Sequence, residues 1–255
     1  MELLNWINLK KLNWIGLSAN PNAIELLKKH QDKINWDLLS QNPNGIEILR
    51  KNQNKINWHR LSSNPNAIEL LKKNKDKIDW YWLSSNPNAI ELLKENKDKI
   101  DWNMLSKNEN AMELLNENPD KINWSQFSKN PNAILILKNN PDKINWFSLT
   151  LNRNGLYLLK LYRYNMNLSL LSLNSNPDAI EILKKYPMHI NWNYLSKNPN
   201  AIEILQINQK KINWRTFSEN PAIFKKNYKN NELTFQSYFE TFKFDALLQL
   251  FKYWI

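Results

Sequence analysis

The sequence predicts an all-α fold, an α-solenoid of about ten two-helix, 22-residue repeats with terminal caps, and three observations carry the prediction. Tryptophan returns every 22 residues at Trp14, Trp36, Trp58, Trp80, Trp102, Trp124 and Trp146, and again at Trp192 and Trp214. The residue before each repeat position is a good helix N-cap. Six residues past it stands an asparagine, followed in most units by proline. A period of this length marks small units that stack on their neighbours and cannot bury an apolar face alone. On this reading residues 1–11 form an N-terminal cap, 12–228 the array, and 229–255 an aromatic-rich C-terminal cap or docking segment.

Taken in order, the first helix of each unit starts at the tryptophan. Asn13, Asn35, Asn57, Asp79, Asp101, Asn123, Asn145, Asn191 and Asn213 can each cap it. An aliphatic residue two before the tryptophan (Ile34, Ile56, Ile78) and a leucine three after it (Leu39, Leu61, Leu83) occupy the N′ and N4 positions of a hydrophobic staple. The helix must be short, because Asn42, Asn64, Asn86 and their equivalents, with proline next, signal a second start. The second helix carries Ala67, Ile68, Leu70 and Leu71 as an apolar stripe near the 3.6-residue period. It is expected to end at Asn52, Asn74, Asn96 or Asn118, in the left-handed region. Helices of roughly six and nine residues are too short to persist alone, so stacking must hold them. The tryptophan, the leucine after it and the stripe are expected to bury together, each large side chain contributing about 1.5–3 kcal/mol. Ten layers at roughly 8–10 Å would make an elongated body on the order of 80–100 Å long.

One unit is irregular. Between Trp146 and Trp192 the spacing gains two residues, and the phase is expected to slip ahead of Leu170, with Ser169 as cap and Asn176 in the asparagine position. A leucine-rich horseshoe of strands is the competing architecture. It would need an apolar residue five before the asparagine, where Asp37, His59, Asn103, Ser125, Asn193 and Arg215 stand instead.

The chain holds no cysteine, which removes disulfides and thiolate sites and fits a reducing compartment. No apolar run approaches membrane-span length, so no membrane association is expected. A net charge of +11 suits an acidic partner, nucleic acid included, although lysine, asparagine and isoleucine rise together as in an AT-rich coding sequence. Enzymes need convergent titratable groups. Here His30, His59 and His189 fall at three different repeat positions, and Gly16, Gly45 and Gly155 build no phosphate-cradling loop. Glu25, Glu47, Glu69, Glu91, Glu113, Glu181 and Glu203 form a ladder, several of them in this reading paired with a lysine four residues on, as Glu25 with Lys29 and Glu69 with Lys73. The expectation is a non-enzymatic protein with no cofactor and no metal.

Two features point to binding. A lysine three before the tryptophan (Lys11, Lys33, Lys55, Lys77, Lys99, Lys121, Lys143, Lys211) could follow a phosphate backbone, but Asp32, Asp76, Asp98, Asp120 and Asp142 offset it. The two residues after each tryptophan are the least regular in the unit. They are the candidate partner-binding positions: His59, Arg60, Tyr81, Trp82, Asn103, Met104, Ser125, Gln126, Asn193, Tyr194 and Arg215. Aromatic and arginine side chains of this kind anchor protein interfaces. The C-terminal segment, with Phe235, Tyr238, Phe239, Phe242 and Trp254, is a second candidate, for self-association or docking.

Residues 12–222, reading INWxxLSxNPNAIxLLxxN in tandem, resemble the uncharacterised repeat proteins of giant, mimivirus-like DNA viruses. That resemblance implies a viral protein acting in the host cytoplasm or carried in a virion, and it brings no catalytic residue. The expected role is a scaffold binding a host or viral protein, with nucleic-acid binding or self-assembly in a virion as alternatives.

Overall fold

Each first helix begins where its cap directs. In the computed structural model, which describes residues 2–162 and 166–225, the side chains of Asn35, Asn57 and Asp79 accept the backbone N–H of Leu38, Arg60 and Trp82, and helices run Trp36–Gln41, Trp58–Ser62 and Trp80–Ser84. The staple residues Ile34, Leu39, Ile56 and Leu61 are buried. The next cap, Asn42, accepts the Asn44 N–H, and Pro43 opens a 3-10 turn, Pro43–Gly45, that leads into the α-helix Ile46–Lys51. The second element is thus a 3-10 turn plus a short α-helix in five units, and one continuous helix in Pro177–Lys185. A further 3-10 turn, Gln53–Lys55, returns the chain to the next cap.

The second helices do not end in the left-handed region. Among the described residues none, glycine included, has a positive φ, and Asn52 sits at φ −133°, ψ 52°. Its side-chain amide donates to the carbonyl of Ile48 at 3.0 Å, as Asn74 and Asn96 do to Leu70 and Leu92. Asparagine stands there because its amide can reach back one turn and satisfy a helix-end carbonyl.

Buried polar side chains join the units. The hydroxyl four residues past the tryptophan donates to the tryptophan carbonyl and accepts the cap N–H of the next unit, as Ser40 does with Trp36 and Asn57 at 2.7 and 3.0 Å. The asparagine six past the tryptophan donates twice to the preceding unit: Asn42 reaches the carbonyls of Ser18 and Asn20, both at 3.0 Å. Two residues on, a second row repeats the device, Asn44 donating to the Pro21 carbonyl at 2.9 Å. No buried side-chain polar atom among the described residues lacks a partner.

The asparagine ladder has no end. Asn20 of the first unit donates to the carbonyls of Ser218 and Asn220 in the last, at 3.0 and 2.8 Å. Asn22 donates to the Pro221 carbonyl, and the Asn13 N–H to Ser218 Oγ, both at 2.8 Å. The stack is therefore a closed ring of ten units, not the elongated body expected. A small constant rotation at each interface has come full circle. The glycine Gly16 permits the last contact: a Cβ there would meet Arg215 O at 2.6 Å and Ser218 Cβ at 2.8 Å, whereas the matching positions of other units hold Leu38, Arg60 and Trp82.

The N-terminal segment lies within this closure. Leu3 forms an antiparallel bridge with Phe224, Leu4 N–H donates to the Ile223 carbonyl at 3.0 Å and Lys225 N–H to the Glu2 carbonyl at 2.7 Å. Ile7 is buried, and the Trp6 ring lies 5.7 Å from that of Phe217. The 3-10 turn Leu9–Lys11 has the register of the turn that elsewhere finishes the preceding unit. Residues 2–11 thus complete the tenth unit, whose own chain turns extended at Phe224. The segment 229–255 lies outside the described residues.

The core is built from the leucine three past the tryptophan and the alanine and second leucine of the following elements, as in Leu61, Ala67 and Leu71, all at 0% exposure. The repeat tryptophans are only half-buried, which corrects the expectation that they are core residues. Eight of the nine lie under the lysine of the next unit, Lys33 over Trp14, Lys55 over Trp36, Lys77 over Trp58, and around the ring to Lys11 over Trp214, at 4.5–4.9 Å from the ring centroid, while Trp146 packs on Tyr162 at 4.9 Å. The lysine ladder is a set of cation–π clips between units, each contributing about 0.5–1 kcal/mol. Where the tryptophan becomes Leu168, the lysine becomes His189.

The slip comes later than expected, after the ladder asparagine and not ahead of the tryptophan position. Leu168 holds the tryptophan position with Asn167 as its cap, and Asn174 holds the ladder, donating to the carbonyls of Thr150 and Asn152 at 2.8 and 3.0 Å. Asn176 occupies the second row and also caps the nine-residue helix, so the two extra residues enter between Asn176 and Ala179. Helix-face pairing differs too. Glu25 and Glu69 meet Lys28 and Lys72 one turn on, and Lys28 and Lys94 bridge to Glu47 and Glu113 of the following unit. These contacts lower the carboxyl pKa of Glu47 and Glu113 and raise those of Lys28 and Lys94.

Candidate functional site: the variable face of the ring

In a first helix capped at the residue before the tryptophan, the positions one, two and five past it share the side turned from the buried leucine. Eight of the eleven candidate residues are exposed there: His59, Arg60, Tyr81, Trp82, Asn103, Ser125, Asn193 and Arg215. Gln126 and Tyr194 are half-buried. Met104 is buried at 3% and presents no surface.

The candidates do not form one patch. Two consecutive units bring four together. Trp82 meets Tyr81 edge-on, centroids 5.4 Å apart at 89°. A cavity of about 270 Å³ lies between Trp82, His59, Arg60, Gln41 and Ser63. Its walls are fixed by polar contacts: Arg60 Nη1 donates to Gln41 Oε1 at 3.3 Å, and His59 Nδ1 contacts Asp79 Oδ2. Tyr81 and Trp82 keep 46% and 38% of their surface exposed; Phe147, Tyr157 and Tyr186 are more exposed but do not line this cavity. Elsewhere on the face the contacts are smaller. Thr216 Oγ1 donates to the Asn193 carbonyl at 3.0 Å, and Ser125 and Ser148 hydroxyls stand 3.5 Å apart.

A second concavity was not singled out from the sequence. Glu109 and Arg153, two units apart, pair at 2.7 Å, so the positions seven past the tryptophan converge on the inner rim of the ring. There a cavity of about 290 Å³ is bounded by five successive units, with Ser85, Lys107, Glu109, Lys129, Arg153 and Ser175 on its wall. Lys107 also lies 5.9 Å from the Trp82 ring centroid, at the edge of cation–π range. Burial, and then the neighbouring charge of Lys129, hold the Lys107 pKa below its ordinary value. The signal for this site was the residue five past the tryptophan. It varies as freely as the two positions already chosen, through Gln41, Ser63, Ser85, Lys107, Lys129 and Leu151.

A family model described as "Periplasmic copper-binding protein (NosD)" matches residues 8–228. No curated protein and no solved structure matches the chain.

Proposed function

We propose that this chain, which belongs to the NosD family through its residues 8–228, works as a non-enzymatic ring that binds a protein partner, host or viral, through its variable face. The observation that supports this is the notch around Trp82. Two exposed aromatic rings, an arginine and a histidine flank a concavity whose walls are held by hydrogen bonds. Rigid aromatic and arginine anchors beside a small pocket are the pattern of interface hot spots.

The copper of the family description does not fit this chain's donors. Copper sites use thiolate, thioether or imidazole groups brought together, and the chain has no cysteine. His30 stacks on Trp14 and His59 contacts Asp79 several units from His189, and no group of three or more His, Cys, Asp or Glu side chains that could hold a metal occurs among the described residues. No step is therefore assigned to a metal.

The test is affinity purification from infected cells, with and without nuclease, using the wild-type chain and a variant with His59, Arg60, Tyr81 and Trp82 all replaced by serine. A purified partner should lose about thirtyfold or more in affinity, since one hot-spot truncation costs about 2 kcal/mol or more. The melting temperature should stay unchanged. Retention of every partner by the variant would refute the reading. Loss of every partner on nuclease treatment would favour nucleic-acid binding instead.

A further inference from the structure

We propose that the inner-rim cavity bounded by Ser85, Lys107, Lys129 and Arg153 binds a small phosphoryl anion, of which inorganic pyrophosphate is the simplest multiply charged example. The other charges on this rim, Arg153 and Glu109 of the same cavity wall included, are matched. Arg153 and Glu109 pair at 2.7 Å, and Lys197 contacts Glu219 in the adjoining units. Lys107 and Lys129 occupy the same position in consecutive units and face one cavity, and among the described residues neither forms an ion pair with a carboxylate. Lys129 Nζ donates instead to Gln126 Oε1 at 3.3 Å.

The cavity wall therefore carries three cations, Lys107, Lys129 and Arg153, against one carboxylate, Glu109. Two like charges side by side, one of them half-buried, raise the free energy of the unliganded ring. An anion between them would relieve that cost. Lysine ammonium groups serve as point charges toward phosphate, and an arginine can donate two parallel hydrogen bonds to it. Ser175 adds a hydroxyl donor, while the Ser85 hydroxyl already donates to the Trp82 carbonyl at 2.9 Å, and a volume of about 290 Å³ accommodates an ion of this size. The site is separate from the Trp82 notch, although Lys107 touches that ring's edge, so it stands or falls independently of the partner reading.

The experiment is calorimetric titration of the whole chain with inorganic pyrophosphate at low ionic strength, on wild type, on K107Q/K129Q, on K129Q alone, and on K75Q/K97Q. The last pair removes the same charge from exposed turns on other parts of the ring. Wild type should show saturable binding that weakens about tenfold or more in K107Q/K129Q, as expected for lost charge-assisted hydrogen bonds. K75Q/K97Q should stay within about twofold of wild type. The rim variants should melt no lower than wild type without the anion and lose the anion-induced rise in melting temperature. Absence of saturable binding, an unaltered affinity in K107Q/K129Q, or an equal loss in K75Q/K97Q would overturn the proposal. If K107Q/K129Q misfolds, K129Q decides by the same criteria.

Discussion

Asn20→Ala compared with Asn86→Ala tests the ring directly. In an open solenoid the first unit would have a free outer face, and Asn20 would donate only to water. In the ring the two asparagines are equivalent. Asn86 donates to the Ser62 and Asn64 carbonyls at 3.0 and 2.8 Å and accepts the Asn88 N–H at 3.0 Å. Asn20 donates to Ser218 and Asn220 at 3.0 and 2.8 Å and accepts the Asn22 N–H at 2.9 Å. Both are 0% exposed. Three buried bonds at a net 0.5–1.5 kcal/mol each place either substitution near 3 kcal/mol of destabilisation. For a chain of this size that is a fall of roughly 6–12 °C in melting temperature. Thermal unfolding followed by circular dichroism, with amide exchange to localise the opening, should show equal losses. An Asn20→Ala cost under about a third of the Asn86→Ala cost would refute the closure.

Further outcomes follow from the same geometry. Gly16→Leu should destabilise the ring by about 3 kcal/mol or more through overpacking against Arg215 and Ser218, and should open the junction between first and last units to hydrogen exchange before the rest. Lys55→Met should cost about 0.5–1 kcal/mol by removing the cation over Trp36, while Trp36→Leu in the Lys55→Met background should show coupling in a double-mutant cycle. Because the folded-state pKa of Lys107 is depressed by burial and by Lys129, the cost of its charge is fully present below that folded value. That cost is relieved as pH rises through the folded value toward 10.5. NMR titration of the lysine side chains should find Lys107 below 10.5 and moved upward in the K129Q variant.

The period, the caps and the staple were legible because each acts within a few residues. A cap must precede its helix, and the leucine must sit one turn from the isoleucine, so their spacing is written locally. Closure is not written that way. It is set by the angle between adjacent units, summed over ten interfaces, and no single residue encodes the sum. Its only local traces are Gly16, which reads as an ordinary small residue, and an N-terminal segment in register with a second half that the tenth unit lacks. The slipped unit misled for a related reason. Asn176 before Pro177 has the appearance of the repeated cap, and it does cap a helix, but Asn174 carries the ladder. The spacing Asn-x-Asn, kept in Asn152 and Asn154 and in Asn174 and Asn176, was the better guide. At the candidate site, variability identified the exposed face but could not report direction, so it included Met104, which turns inward, and passed over Lys107 and Lys129.

The ring also accounts for how two kinds of position in one unit can be so unequal in freedom. A terminal unit of an open solenoid needs a polar outer face, whereas here the first and last units bury the same Leu17, Asn20, Phe217 and Asn220 positions as the interior ones. Every ladder asparagine has a neighbour on both sides, its amide donating to the preceding unit and its backbone carbonyl accepting from the next, so loss of any one side chain weakens an interface of a closed circuit. Gly16 at the junction apart, the side chains one, two and five past the tryptophan take no part in the asparagine ladder. They can diverge from unit to unit, as Tyr81 and Trp82 do from Asn103 and Met104, without altering the rotation that closes the ring. A rigid frame with freely varied side chains on one rim favours recognition by pre-organised anchors over partner-induced ordering, since little entropy remains to be lost on binding.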